Sequence, residues 1–218
     1  MYLPTKKHEE YIECMKEVCN LNHLSLVLEG SLAHGTAKPF SDIDLLLFGN
    51  LGPKLFDDII SGYDNIVMIN LTENPRGIYI LNYKNGISVD LDIRESVLSG
   101  ETDNKVILCN YRFNIADEVK RSSITRSYIP ERPQWYKTIR LIHRCCIKFL
   151  CGKSDAAEGL ADEACHAVYA LTNQKIVKSS SIKQRMSDSL HYLDQNFCID
   201  KGIIELLEVL FQEMDYVV

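Results

Sequence analysis

One stretch constrains this chain more than any other. It runs Leu26-Val27-Leu28-Glu29-Gly30-Ser31-Leu32-Ala33-His34-Gly35-Thr36-Ala37-Lys38-Pro39-Phe40-Ser41-Asp42-Ile43-Asp44-Leu45-Leu46-Leu47-Phe48. It reads as a strand, a Gly-Ser turn, a short loop, and a second strand opening on Asp-x-Asp. Side chains alternate faces along a strand, so Asp42 and Asp44 share one side while Ile43, Leu45 and Leu47 face a core on the other. Two carboxylates about 7 Å apart along a strand repel each other without a counter-charge. A divalent cation removes that repulsion, and hard carboxylate oxygens suit Mg²⁺.

A second acidic strand follows in Ile87-Ser88-Val89-Asp90-Leu91-Asp92-Ile93, where Asp90 and Asp92 share a face opposite Val89, Leu91 and Ile93. If it lies beside residues 43–48, one of its carboxylates joins Asp42 and Asp44. Three carboxylates around two Mg²⁺ ions about 4 Å apart make a two-metal phosphoryl-transfer site. The Gly30-Ser31 turn supplies the complementary half. Glycine lets phosphate oxygens approach the backbone, and the serine amide can open a short helix whose N-terminus favours anions.

The rest of the chain separates into two textures. Residues 5–20 carry Tyr11, Ile12, Met15, Val18 and Cys19 at helical spacing. From 24 to about 93, short β-branched runs alternate with turn residues. Strands are expected over 24–28, 43–48, 65–71, 78–83 and 88–93, with a helix over 54–61. Lys84-Asn85-Gly86 reads as a hairpin turn, with Asn-Gly the turn pair, which makes 78–83 and 88–93 antiparallel neighbours. Residues 104–130 resist assignment. Helices are expected near 134–151, 155–173, 180–196 and 201–214. The expectation is an α+β protein: an N-terminal domain with a mixed sheet flanked by helices, over 1–120, and a C-terminal helical bundle over 121–218.

Composition narrows the function classes. A chain of 218 residues with 46% apolar and 25% charged side chains can bury a core, which excludes a disordered tail or a rod. The net charge of −6 disfavours a non-specific nucleic-acid binder. No apolar run approaches the roughly 18 residues of a membrane span. The N-terminus turns charged too early for a signal peptide, so a cytoplasmic location is expected. The eight cysteines then read as free thiols. His143, Cys145, Cys146 and Cys151 fall on one apparent helix, where adjacent cysteines point about 100° apart and chelate zinc poorly. Lys175, Lys178, Lys183 and Arg185 form a basic stretch, read either as a solvated face or as a clamp on phosphates.

The spacing Gly30-Ser31, ten residues, Asp42-x-Asp44, then a later acidic strand, resembles the DNA polymerase β-like nucleotidyltransferase superfamily. The similarity is to its minimal and antibiotic-modifying members, with their G-S-x10-D-x-D motif, and covers about 24–93. The resemblance implies that Asp42 and Asp44 bind metal and that Asp90, in its Val-Asp-Leu context, is the third carboxylate, with Asp92 the alternative. It makes Gly30 and Ser31 the nucleotide-phosphate loop. Many relatives carry arginine where this chain has His34, so a phosphate contact is either weakened or falls to Lys38 or to the C-terminal half. The implied activity is Mg²⁺-dependent transfer of a nucleoside monophosphate, AMP from ATP as the leading case, to a hydroxyl of a small molecule. Antibiotic resistance, with an aminoglycoside- or lincosamide-like acceptor, is the leading guess. Two alternatives stand beside it: an antitoxin-type enzyme that adenylylates a HEPN-like protein partner, and a non-catalytic nucleotide-binding module.

Overall fold

The computed structural model describes residues 3–72, 77–122, 124, 132–178 and 180–216. The chain divides into two compact units, Met1–Pro130 and Glu131–Val218. In chain order the first contains α1 (Lys6–Leu21), β1 (Ser25–Leu28), α2 (Gly30–Ala33), β2 (Ile43–Phe48), α3 (Pro53–Ser61), β3 (Ile66–Leu71), β4 (Tyr79–Tyr83), β5 (Ser88–Arg94), β6 (Val97–Leu98), β7 (Val106–Cys109) and β8 (Ile115–Ala116). Six strands form a sheet in the order β3-β4-β5-β2-β1-β7. Its centre, β2 beside β5, is parallel, and the other pairings are antiparallel. The expected mixed sheet is therefore present.

Local chemistry explains the main elements. Thr5 caps α1 by accepting the His8 N–H, and the helix buries Tyr11, Ile12, Met15 and Cys19 along one stripe. Pro53 opens α3, which buries Phe56 and Ile59. These two stripes join Leu26, Leu28, Ile43, Leu45, Leu47, Val89, Leu91 and Ile93 in one core on a single face of the sheet. Fully burying a leucine or isoleucine there stabilises the fold by about 1.5–3 kcal/mol. A much smaller cluster of Val27, Leu46, Phe48 and Val97 lies on residues of opposite parity. The β4–β5 hairpin closes with the Tyr83 N–H donating to the Ile87 carbonyl at 2.9 Å and the Gly86 N–H to the Tyr83 carbonyl at 3.0 Å. The loop is thus Lys84-Asn85-Gly86, one residue longer than an Asn-Gly pair, with Gly86 at φ +91°.

The unassigned stretch supplies three short strands. β7 extends the sheet beside β1, and β6 pairs with β8 in a separate two-stranded ribbon. Each is too short to show a period in the sequence.

In the second unit, α4 (Tyr136–Leu150), α5 (Ser154–Thr172), α6 (Ile182–Asn196) and α7 (Lys201–Glu213) pack as a bundle. Ala157, Ala161, Ala164 and Val168 are buried along α5, so neighbouring helices approach closely. Ser181 and Asp200 cap α6 and α7. All eight cysteines are free thiols. Burial pushes the Cys145 thiol up to about 12, and it donates to the Ala157 carbonyl at 3.2 Å. Among the described residues, no helix is long and apolar enough to cross a membrane.

Candidate active site

The parallel pairing of β2 with β5 sets the site. Its register places Asp44 opposite Asp90 and Leu46 opposite Asp92. Asp44, Asp90 and Asp92 line a cavity of about 290 Å³ together with Glu29, Arg94 and Arg121. Asp42 is half-buried and stands one step before β2. Among the described residues, no three His, Cys, Asp or Glu side chains converge closely enough to hold a metal ion. The structure thus brings Asp44 and Asp90 to one cavity, while Asp42 lies just ahead of β2 and outside that lining.

Gly30 and Ser31 open α2, directly against this face. Gly30 has φ +64°, and a β-carbon there would lie 1.9 Å from Asp44 Oδ2. Only glycine satisfies both the backbone conformation and the close approach. The Glu29 N–H donates to the Asp44 carbonyl at 2.9 Å, which locks the turn to the strand. His34, the position of departure from many relatives, is exposed and donates from Nδ1 to the Gly30 carbonyl at 2.6 Å. It closes the loop on itself.

Asp92 differs sharply from Asp90, two residues away on the same face. It is 3% exposed. It accepts from Arg94 Nε at 2.9 Å and from Arg121 Nε and NH2 at 2.9 and 3.0 Å. Arg94 also donates to Glu101, and Lys105 bridges Glu101 at 3.6 Å and Glu29. Charges therefore alternate from Arg121 through Asp92, Arg94, Glu101 and Lys105 to Glu29, the residue before the turn. Burial alone would lower the Arg94 pKa, but Glu101 and Asp92 raise it above the usual value. Burial likewise works against the Glu101 carboxylate, yet Arg94, the Leu98 N–H and Lys105 hold its pKa below the ordinary range.

Sequence reasoning missed this chain of ion pairs. Arg94 follows Asp92 at the same-face spacing, which is a readable signal. Arg121 arrives through an isolated bridge to Arg94 from 27 residues away, and no local pattern announces it. His8 was also missed. It is buried, donates from Nε2 to the Ser41 carbonyl at 3.0 Å, and accepts from Thr5 Oγ1 at 2.6 Å. It ties α1 to the residue before Asp42. In the second unit, Arg185 pairs with Glu158 and Asp162, Lys178 with Asp162 at 3.0 Å and Lys183 with Asp215 at 2.5 Å. Three members of the basic stretch are thus committed within their own unit.

Comparison with known proteins decides what this sheet is. Residues 11–111 match the nucleotidyltransferase domain family. They form a nucleotidyltransferase domain of the polymerase β-like kind. Among solved structures, the chain is similar to a STING-associated CdnE c-di-GMP synthase from Capnocytophaga granulosa at 14% identity and a TM-score of 0.30. That alignment covers 96% of this chain and 79% of the other. So loose a likeness carries no argument about fold or product. No curated protein matches the sequence. Within the nucleotidyltransferase domain, the Gly-Ser turn and the acidic strand pair are in direct contact. A carboxylate face beside a bare backbone turn is suited to a cation-bearing polyphosphate.

Proposed function

We propose that the chain is a Mg²⁺-dependent nucleotidyltransferase that moves a nucleoside monophosphate from a nucleoside triphosphate, ATP above all, to a hydroxyl of a small molecule and releases pyrophosphate. The observation that carries this reading is the seating of Gly30 on Asp44, with Asp90 in register across the strand pair. Asp42, Asp44 and Asp90 are the proposed metal ligands. Their all-oxygen donor set suits Mg²⁺ in kind, although the three do not converge on one point in this structure. The bound ions would neutralise the triphosphate and acidify the acceptor hydroxyl.

The protein's own groups have distinct parts. Gly30, without a side chain, lets the turn lie directly against Asp44, and the Ser31 hydroxyl is the proposed donor to phosphate oxygens. Asp90 is also placed to take the acceptor's proton. Asp92 is a poorer third carboxylate, because two arginines occupy both its oxygens. The net charge of −6 suits a cationic acceptor, and an aminoglycoside- or lincosamide-like compound is one class to test.

The test is transfer of label from α-labelled nucleoside triphosphates, with Mg²⁺, to a panel of hydroxyl-bearing acceptors. Label on a small molecule with matching pyrophosphate release is the expected result, lost in Asp44→Asn, Asp90→Asn and Gly30→Ala. Label on a co-purified protein would instead establish the protein-modifying alternative. Transfer that survives Asp44→Asn would overturn the reading.

A further inference from the structure

We propose a second ligand site, wholly within the helical unit, for a small anion carried on a flat ring. It stands apart from the transferase reading. Asp162, Cys165, His166 and Tyr169 follow at three- and four-residue steps on α5 and so share one face. They line a cavity of about 360 Å³ with Arg185 from α6 and Lys175, Ile176 and Lys178 from the connecting loop. That is within the range of small-molecule sites.

Arg185 is the decisive member. Its side chain is only 3% exposed. Its terminal nitrogens donate to Asp162 at 2.9 Å and to Glu158, yet its Nε–H has no acceptor among the described residues. One turn along α6, the buried Ser189 hydroxyl is within hydrogen-bonding reach of the Cys165 thiol. A buried donor without an acceptor is unfavourable, and the arginine that carries it forms part of the cavity wall.

Charge and shape narrow the ligand. Three cations line the cavity against one carboxylate, Asp162. Glu158 shares Arg185 from outside the lining, and Lys175 has no carboxylate partner among the described residues. A net positive charge remains for an anion. Tyr169, 52% exposed, and the buried Ile176 offer apolar surface on which a ring can pack. A phosphate monoester and a carboxylate share the required chemistry.

Cys165 reports occupancy. The holo-length protein is treated with iodoacetamide in EDTA, and alkylation of each cysteine is followed by mass spectrometry. Adenosine monophosphate and benzoate are the anionic probes; adenosine and benzyl alcohol are their neutral counterparts. Expected is a slowing of Cys165 alkylation by about fivefold or more with at least one anion. The exposed Cys198 should keep its rate, and the neutral probes should have no effect. Lys175→Gln, on the surface, should raise the half-protecting concentration by about fivefold. Protection by neither anion, equal protection by the neutral probes, or indifference to Lys175→Gln would each overturn the site. Because EDTA removes Mg²⁺ and no transfer is measured, none of these results bears on the proposed catalysis.

Discussion

The two faces of β2 and β5 share a backbone and almost nothing else. On one, Ile43, Leu45, Leu47, Val89, Leu91 and Ile93 are sealed in the main core. On the other, Asp44 and Asp90 stand in register, Asp92 is clamped by two guanidiniums, and Leu46 and Phe48 join a small apolar cluster. The difference teaches that stability and chemistry are carried by alternate residues of the same strands. Substitutions one position apart should therefore fail in different ways.

The largest separation is expected at Asp44. Asp44→Asn should lower nucleotidyl transfer by at least about 1,000-fold with an unchanged melting temperature; steady-state transfer and a thermal melt on one preparation check both. Asp92→Ala should break the comparison from the same face. It removes the buried carboxylate shared by Arg94 and Arg121, leaving Arg94 to Glu101 alone, and should cost about 3 kcal/mol in urea unfolding. A stable Asp92→Ala with no transfer would make Asp92, rather than Asp90, the third carboxylate. On the core face, Leu45→Ala should cost about 2–5 kcal/mol while activity per folded molecule is retained.

The smallest effect concerns His8. Burial, and to a lesser degree Lys7, hold its pKa below the usual value, although the Ser41 carbonyl opposes them. Between the folded pKa and the unfolded value of about 6.5, the unfolded chain binds more protons. Stability from this group is therefore complete above about pH 6.5 and declines as pH falls. Melting temperatures recorded from pH 7.5 to 5.5 should fall more steeply for the native chain than for His8→Gln.

What the sequence made legible follows the range of the interactions. Period-two alternation placed Asp44, Asp90 and Asp92 on their faces, and period-three-to-four spacing located the helices, because both signals are local. The contact between Gly30 and Asp44 was legible as a motif but not as a 1.9 Å clash awaiting any other residue. The difference in surroundings between Asp90 and Asp92 was not legible in the strand itself. It depends on Arg121, which arrives from outside the strand, and on a register that alternation alone leaves free by two residues. The short strands β6, β7 and β8 escaped because two to four residues cannot display a period.

That register has a consequence of its own. The ladder between β2 and β5 works as the ruler of the site, because each rung assigns one acidic group to face Asp44. A slide of one rung would turn Val89 and Leu91 toward water and carry the acids into the grease. A slide of two would keep every oily residue inside yet set Asp92, with its arginine escort, where Asp90 now stands. Insertions between the two strands can thus be tolerated by the fold and still remove the proposed transfer.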